Sequence, residues 1–228
     1  MQQLIQAQGL EKYYRSGETR VAALDHVDLE VASGEFVVLS GRSGSGKTTL
    51  LNMLGALDRP DAGRLSIAGR DLLAMSRGER ADFRLHHVGF VFQAYNLIRV
   101  LSARENVAYV LQLRGMDRKQ RLALADRWLA EVGLEGLEHR RPDQMSGGQQ
   151  QRVAVARALA AEPDLILADE PTANLDSHTG EDLMELMRSL NERRGTTFVI
   201  ASHDPAVIAS ARTLITMQDG AIAAVERR

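Results

Sequence analysis

One octapeptide constrains this chain more than any other segment: Gly41-Arg42-Ser43-Gly44-Ser45-Gly46-Lys47-Thr48 fits the pattern G-x-x-x-x-G-K-[ST]. It follows Phe36-Val37-Val38-Leu39, which is apolar on both faces as a central parallel strand is, and it opens a helical run from Thr48 to Leu54. Strand, glycine-rich loop and helix in that order form a cradle for an anion. Glycines 44 and 46 let the backbone wrap phosphate without Cβ clashes, while successive N–H groups and the helix N-terminus point inward. Lys47 is placed to reach the β and γ phosphates and the Thr48 hydroxyl to ligate Mg²⁺. Ser43, Ser45 and Thr49 complete the expected phosphate-binding set. Such a loop serves kinases, GTPases, recombinases and transporters alike, and the guanine-reading N-K-x-D or T-K-x-D is absent.

The rest of the chain suits an α/β architecture. Val27-Asp28-Leu29-Glu30-Val31 alternates with period 2, and the first 40 residues or so read as short strands broken by turns. From Ala94 to Ala161 the pattern is helical, with Leu122, Ala125, Leu129 and Val132 forming one apolar stripe. Leu165–Ala168 and Phe198–Ala201 read as strands flanking a helix striped by Leu183, Leu186, Met187 and Leu190, the rhythm of a parallel sheet with covering helices. Asp219-Gly220 between two strand-like runs predicts a hairpin.

Composition narrows the function classes. The 228 residues are 44% hydrophobic and carry a formal net charge of −2, which argues against a wholly basic surface for nucleic acid, so no nucleic-acid partner is expected. The absence of cysteine excludes disulfides, thiolate metal sites and cysteine nucleophiles. No apolar run approaches the ~18–20 residues that span a bilayer. The start at Met1 lacks the basic and apolar regions of a signal peptide, so the expectation is a chain that does not cross a membrane. The sequence ends at Arg228, with no regulatory extension expected.

Two further clusters carry chemistry. Asp169-Glu170-Pro171 follows the apolar strand Leu165–Ala168, and the carboxyl ends of parallel strands line the ligand crevice. Alternation along a strand predicts that Asp169 and Glu170 face opposite ways, Asp169 toward Mg²⁺ and Glu170 toward an attacking water as general base. Pro171 is expected to hold Glu170 extended. Ser146-Gly147-Gly148-Gln149 then opens a second helix, with Ser146 as N-cap, and makes a second anion site. One nucleotide does not need two cradles. The economical arrangement is a two-fold homodimer in which residues 146–149 of one copy close over the γ-phosphate bound by the other.

The order of phosphate loop, Gln93, Met145–Gln149, Asp169-Glu170, Asn174-Leu175-Asp176 and His203 resembles that of the ABC-type ATPases over nearly the whole chain. The resemblance implies a P-loop, RecA-like core with a mainly parallel sheet, an N-terminal antiparallel β subdomain and an inserted α-helical subdomain. It divides one domain, 1–228, into a nucleotide-binding core at 1–93 and 162–228 and a helical subdomain at 94–161. It implies ATP and Mg²⁺ as cofactors, with Gln93 sensing Mg²⁺ and water, Asp176 communicating between subunits and His203 contacting the γ-phosphate. Tyr14 resembles the aromatic that stacks on adenine, with Tyr13 the alternative, since a register shift of one flips the face.

The segments 89–98, 145–152 and 168–177 are similar to one branch of that family, which includes macrolide-efflux, lipoprotein-releasing and cell-division ATPases. The departures are Met145, where Leu is commoner, and Ala173, where Gly is frequent. The branch implies a separate integral membrane permease as partner and a peripheral position on the cytoplasmic face of the inner membrane. The alternative is a soluble ABC-type ATPase acting on DNA or ribosomes. Trp128 reads as packing, His86-His87 have no metal-ligand spacing, and His26, His139, His178 and Arg140-Arg141 read as surface residues. Tyr95–Val110 reads either as subdomain core or as a groove for a helix of the membrane partner.

Overall fold

The computed structural model describes residues 2–17 and 19–228. A long hairpin, β1 (Gln3–Ser16) and β2 (Thr19–Ala32), leads into β3 (Phe36–Ser40), the phosphate-loop segment and α1 (Lys47–Leu54). Next come β4 (Ala62–Ile67), β5 (Arg70–Asp71), α2 (Arg77–His87) and β6 (Val88–Phe92). Three helices follow, α3 (Ala103–Leu113), α4 (Arg118–Glu131) and α5 (Gly147–Ala160), before β7 (Leu165–Asp169). The chain closes with α6 (Ser177–Arg194), β8 (Thr197–Ser202), α7 (Pro205–Ala209), β9 (Thr213–Gln218) and β10 (Ala221–Arg227).

A six-stranded sheet runs β10-β9-β3-β8-β7-β6, parallel except for β10, and a four-stranded antiparallel sheet runs β2-β1-β4-β5. The central strands are apolar on both faces because each face meets a separate core. Val37 and Leu39 of β3 join the antiparallel sheet and α1, whereas Phe36 and Val38 join α3 to α6. In β8 the same alternation sends Val199 and Ala201 one way and Phe198 and Ile200 the other. Phe36 and Phe198 sit opposite each other in register with ring centroids 5.6 Å apart, a pair worth about 0.5–1.5 kcal/mol beyond its buried area. The stripe Ala125, Leu129 and Val132 is fully buried, and Trp128 packs in the same core. The predicted hairpin forms with Asp219 and Gly220 both at positive φ, as a type I′ turn requires.

Candidate nucleotide-binding site

The carboxyl ends of β3, β6, β7 and β8 open onto a cavity of about 940 Å³ whose wall includes residues 40–49, Gln93, Glu170 and His203. The loop is shaped by sterics. Gly46 has φ +100°, and a Cβ there would stand 2.6 Å from the Ala23 carbonyl. Lys47 is buried, its ammonium donating to the Gly41 carbonyl at 2.7 Å and the Arg42 carbonyl at 3.2 Å. The Ser45 hydroxyl is buried inside the loop with no hydrogen-bond partner. A cationic, glycine-rich cradle with an unpaired hydroxyl fits a polyphosphate.

Thr48 Oγ1 donates to Asp169 at 3.0 Å from Oδ2. Burial pushes the Asp169 carboxyl above its usual range, opposed by the Thr48 hydroxyl, raised further by Glu170 and opposed again by Lys47. Hydroxyl and carboxylate are hard oxygen donors suited to Mg²⁺. Among the described residues no three His, Cys, Asp or Glu form a protein-only cage.

Glu170 departs from expectation. It is not extended before Pro171 but left-handed, with φ +47°. Such a backbone costs an L-residue roughly 1–2 kcal/mol, offset here by three hydrogen bonds to the end of β8. The Glu170 N–H donates to the Ala201 carbonyl at 2.9 Å, Ser202 Oγ donates to its carboxylate at 3.2 Å, and His203 Nδ1 lies 2.8 Å from the other oxygen. An ionised carboxylate only accepts, so Nδ1 carries the proton. Asp169 thus faces Thr48 and Glu170 faces His203, but a backbone turn separates them rather than strand alternation.

Other expected residues sit at the rim or outside. Tyr14 pairs with Val21, which lines the cavity, and its hydroxyl donates to Asp58 at 3.0 Å. Tyr13 is engaged elsewhere, its hydroxyl donating to Glu11 and its ring lying 3.6 Å from the Arg20 guanidinium carbon. Ser146, Gly147, Gly148 and Gln149 do not line the cavity. Ser146 and Gln149 close a reciprocal capping box, and a Cβ on Gly148 would collide with Thr179. Asp176, also outside, caps α6 by accepting from the Thr179 N–H and hydroxyl, which hold its carboxyl below the usual range. Sequence reasoning missed Val21, Ala22, Ala23 and Ile208 in the cavity wall and Ser202 beside Glu170. Only Ser202, next to His203, carried a signal.

A glycine-rich loop joining a central parallel strand to a helix, with a carboxylate at a neighbouring strand end bonded to its threonine, defines a P-loop nucleotide-binding protein. Residues 24–173 match the ABC transporter family. An uncharacterized ABC transporter ATP-binding protein of Thermotoga maritima is 45% identical over 228 residues, covering 100% of this chain and 97% of that one. The lipoprotein-releasing system ATP-binding protein LolD of Chromohalobacter salexigens is 44% identical, with 95% and 92% covered. The macrolide export ATP-binding/permease protein MacB of Chromobacterium violaceum is 47% identical over 96% of this chain, which spans only 34% of that protein's length. The ATP-binding cassette MJ0796, solved as a dimeric post-hydrolysis state bound to ADP and Pi, superposes with a TM-score of 0.91 at 41% identity over 98% of each chain. The chain belongs to the ABC transporter family and is of its ATP-binding type.

Proposed function

We propose that this protein binds and hydrolyses Mg-ATP, that two copies close around two ATP, and that closure drives a separate membrane permease of the macrolide-efflux or lipoprotein-releasing kind. The observation that carries the reading is the Glu170–His203 pair at the mouth of the phosphate cradle, with Glu170 turned out of its strand toward His203. Lys47 and the loop N–H groups hold the β and γ phosphates, exchanging the two loop carbonyls for phosphate oxygens. Thr48, Asp169 and Gln93 would hold Mg²⁺, which when bound would supply positive charge beside the transferred phosphate. Glu170 accepts a proton from water as that water's oxygen bonds to the γ-phosphorus and the bond to the β–γ bridging oxygen breaks. His203, held by Glu170 through Nδ1, donates from Nε2 to the γ-phosphate when the ring carries both protons.

Residues 146–149 complete the site of a second copy, and Asp176 lies between the two sites. Their place outside the cavity of a single chain supports that reading, and MJ0796 has been solved as a dimer. Tyr14 stacks on adenine, since the Arg20 guanidinium carbon covers the Tyr13 ring at 3.6 Å whereas the cation over Tyr14, Lys12 Nζ, stands off at 5.3 Å. The helical subdomain, residues 94–161, presents the permease-facing surface. Asn106, buried beneath it, donates to the carbonyls of Ile98, Leu101 and Ser102, while Val100 is 73% and Leu113 57% exposed. Among the described residues no helix is long and apolar enough to cross a membrane. A peripheral place on the cytoplasmic face of the inner membrane follows from the permease partner. The relatives favour this reading over a soluble ATPase acting on DNA or ribosomes.

Phosphate release tests the proposal. Glu170→Gln should keep ATP affinity, lose about 10²–10⁴ in turnover and accumulate as an ATP-bound dimer in size-exclusion chromatography. Undiminished turnover in that variant would remove Glu170 as the base.

A further inference from the structure

Gln151 stands on the second turn of α5, fully buried at 0% exposure in a helix otherwise packed by Val153, Ala154 and Val155. A polar amide in such a place costs free energy unless its groups are paired. Its Nε2 donates to the Phe92 carbonyl at 3.3 Å and to the Pro171 carbonyl at 2.8 Å. Both acceptors are carbonyls, so the amide can be turned only one way, with its NH₂ toward them. Its Oε1 has no partner. The residue therefore keeps an unsatisfied buried oxygen in exchange for two bonds to backbone. Phe92 immediately precedes Gln93, and Pro171 immediately follows Glu170.

The neighbouring contacts run the same way. Asn174 Nδ2 donates to the Gln93 carbonyl at 2.9 Å. From two turns further along α5, Arg157 donates to the carbonyls of Tyr95 at 2.9 Å and Asn96 at 2.5 Å. The segment from Phe92 to Asn96 is thus fastened to α5 at both ends and, through Asn174, to the loop behind Glu170; among the described side chains of α5, Gln151 is the one that grips both.

We infer that Gln151 is a positioning residue, a single buried amide that sets Gln93 and Glu170 relative to each other and to the helix that begins at Ser146. The inference rests on the roles proposed above for Gln93 and Glu170. When residues 146–149 engage a nucleotide on another copy, any displacement of α5 is delivered through one side chain to the backbone on both sides of the water-attack site. A misplacement of a fraction of an ångström there is enough to alter rate.

The test uses the full chain. Gln151→Met preserves length and removes both donors. Gln151→Glu preserves shape, lacks a donor when ionised and regains one O–H donor when neutral, a form that burial favours as pH falls. Val153→Ala, from the same helix and equally buried, serves as a destabilised control. Gln151→Met should lower kcat on the order of ten- to a hundredfold, with ATP affinity by fluorescence titration unchanged within about twofold. Gln151→Glu should recover kcat relative to wild type as pH is lowered, and Val153→Ala should keep its kcat. An equal kcat loss in Val153→Ala, or flat pH dependence of the Gln151→Glu deficit, would show Gln151 to be core packing alone and overturn the inference. If Gln151→Met does not fold, the pH profile of Gln151→Glu decides by itself. Glu170→Gln separates the two levels. If it retains turnover, the underlying reading fails. If it is inactive while Gln151→Met is fully active, only the positioning role fails.

Discussion

Lys47→Met isolates the balance at the centre of the cradle. The buried ammonium donates to the Gly41 and Arg42 carbonyls at 2.7 and 3.2 Å. Binding therefore exchanges partners rather than adding them. An ammonium and a phosphate charge ~4 Å apart attract by about 4 kcal/mol at an effective dielectric near 20. Each hydrogen bond from a charged donor to a carbonyl is worth about 1.5–3 kcal/mol net, so of the roughly 8 kcal/mol attraction to the β and γ phosphates together at least about 2 kcal/mol survives as binding energy once both carbonyls are exchanged. The variant should bind Mg-ATP about 30-fold more weakly. Fluorescence titration of a labelled ATP analogue reads this directly.

The folded state responds differently. The variant loses the two carbonyl bonds but also sheds the several-kcal/mol penalty of burying an ammonium. Stability without nucleotide should change by less than about 1 kcal/mol, or about 2–4 °C in Tm. Affinity within about threefold of wild type, or a Tm fall beyond about 8 °C, would refute the exchange argument and make Lys47 a structural cation.

Further outcomes follow from the same geometry. Ser146→Arg should abolish ATP-driven dimerisation in size-exclusion chromatography yet leave monomer nucleotide binding intact. Ser146→Ala, which costs about 1 kcal/mol of capping without added bulk, should still dimerise. Tyr14→Ala should weaken ATP by about 1–3 kcal/mol and leave Mg-tripolyphosphate affinity untouched, whereas Tyr13→Ala should leave both affinities unchanged. If Tyr13→Ala carries the loss instead, the strand register argument is reversed. The folded protein holds the Asp169 proton more tightly than the unfolded chain does, because burial raises this carboxyl. The contribution of Asp169 to stability should therefore rise as pH falls through the window between the ordinary and the raised value, and decline as pH climbs back. Asp169→Asn should remove that dependence and raise Tm at neutral pH without nucleotide, while abolishing the Mg²⁺ enhancement of ATP binding. A lowered Tm would contradict the burial argument.

The elements most open to sequence reading are those in which periodicity and burial coincide. Phe36–Ser40 and Thr197–Ser202 are buried at every position because both sheet faces are covered, and a run apolar on both faces says so directly. The α4 stripe and the Asp219-Gly220 turn were equally plain, since each depends on local geometry alone. Glu170 was not. The pre-proline rule describes an isolated dipeptide, but the residue's backbone and carboxylate are bonded to Ala201, Ser202 and His203 of a strand more than thirty residues away. Tertiary hydrogen bonds of that kind leave no periodic trace. The same holds for Val21, Ala22 and Ala23, which reach the cavity from a hairpin edge, and for Gln151, which in a helical pattern looks like one more polar residue.

The candidate site was therefore legible in local patterns. Loop, helix start, carboxylates and capping serine are short patterns whose function depends on neighbours within a turn or two, and they could be recognised before any fold was known. Which of them act together was a matter of long-range packing. The parallel sheet gathers residues 41–49, Gln93, Glu170 and His203 around one cavity at its carboxyl edge, sets Asp169 against Thr48, and holds residues 146–149 and Asp176 away from that cavity. Only assembled backbone can decide such distances, because the groups that fix them are carbonyls and amides that every residue has.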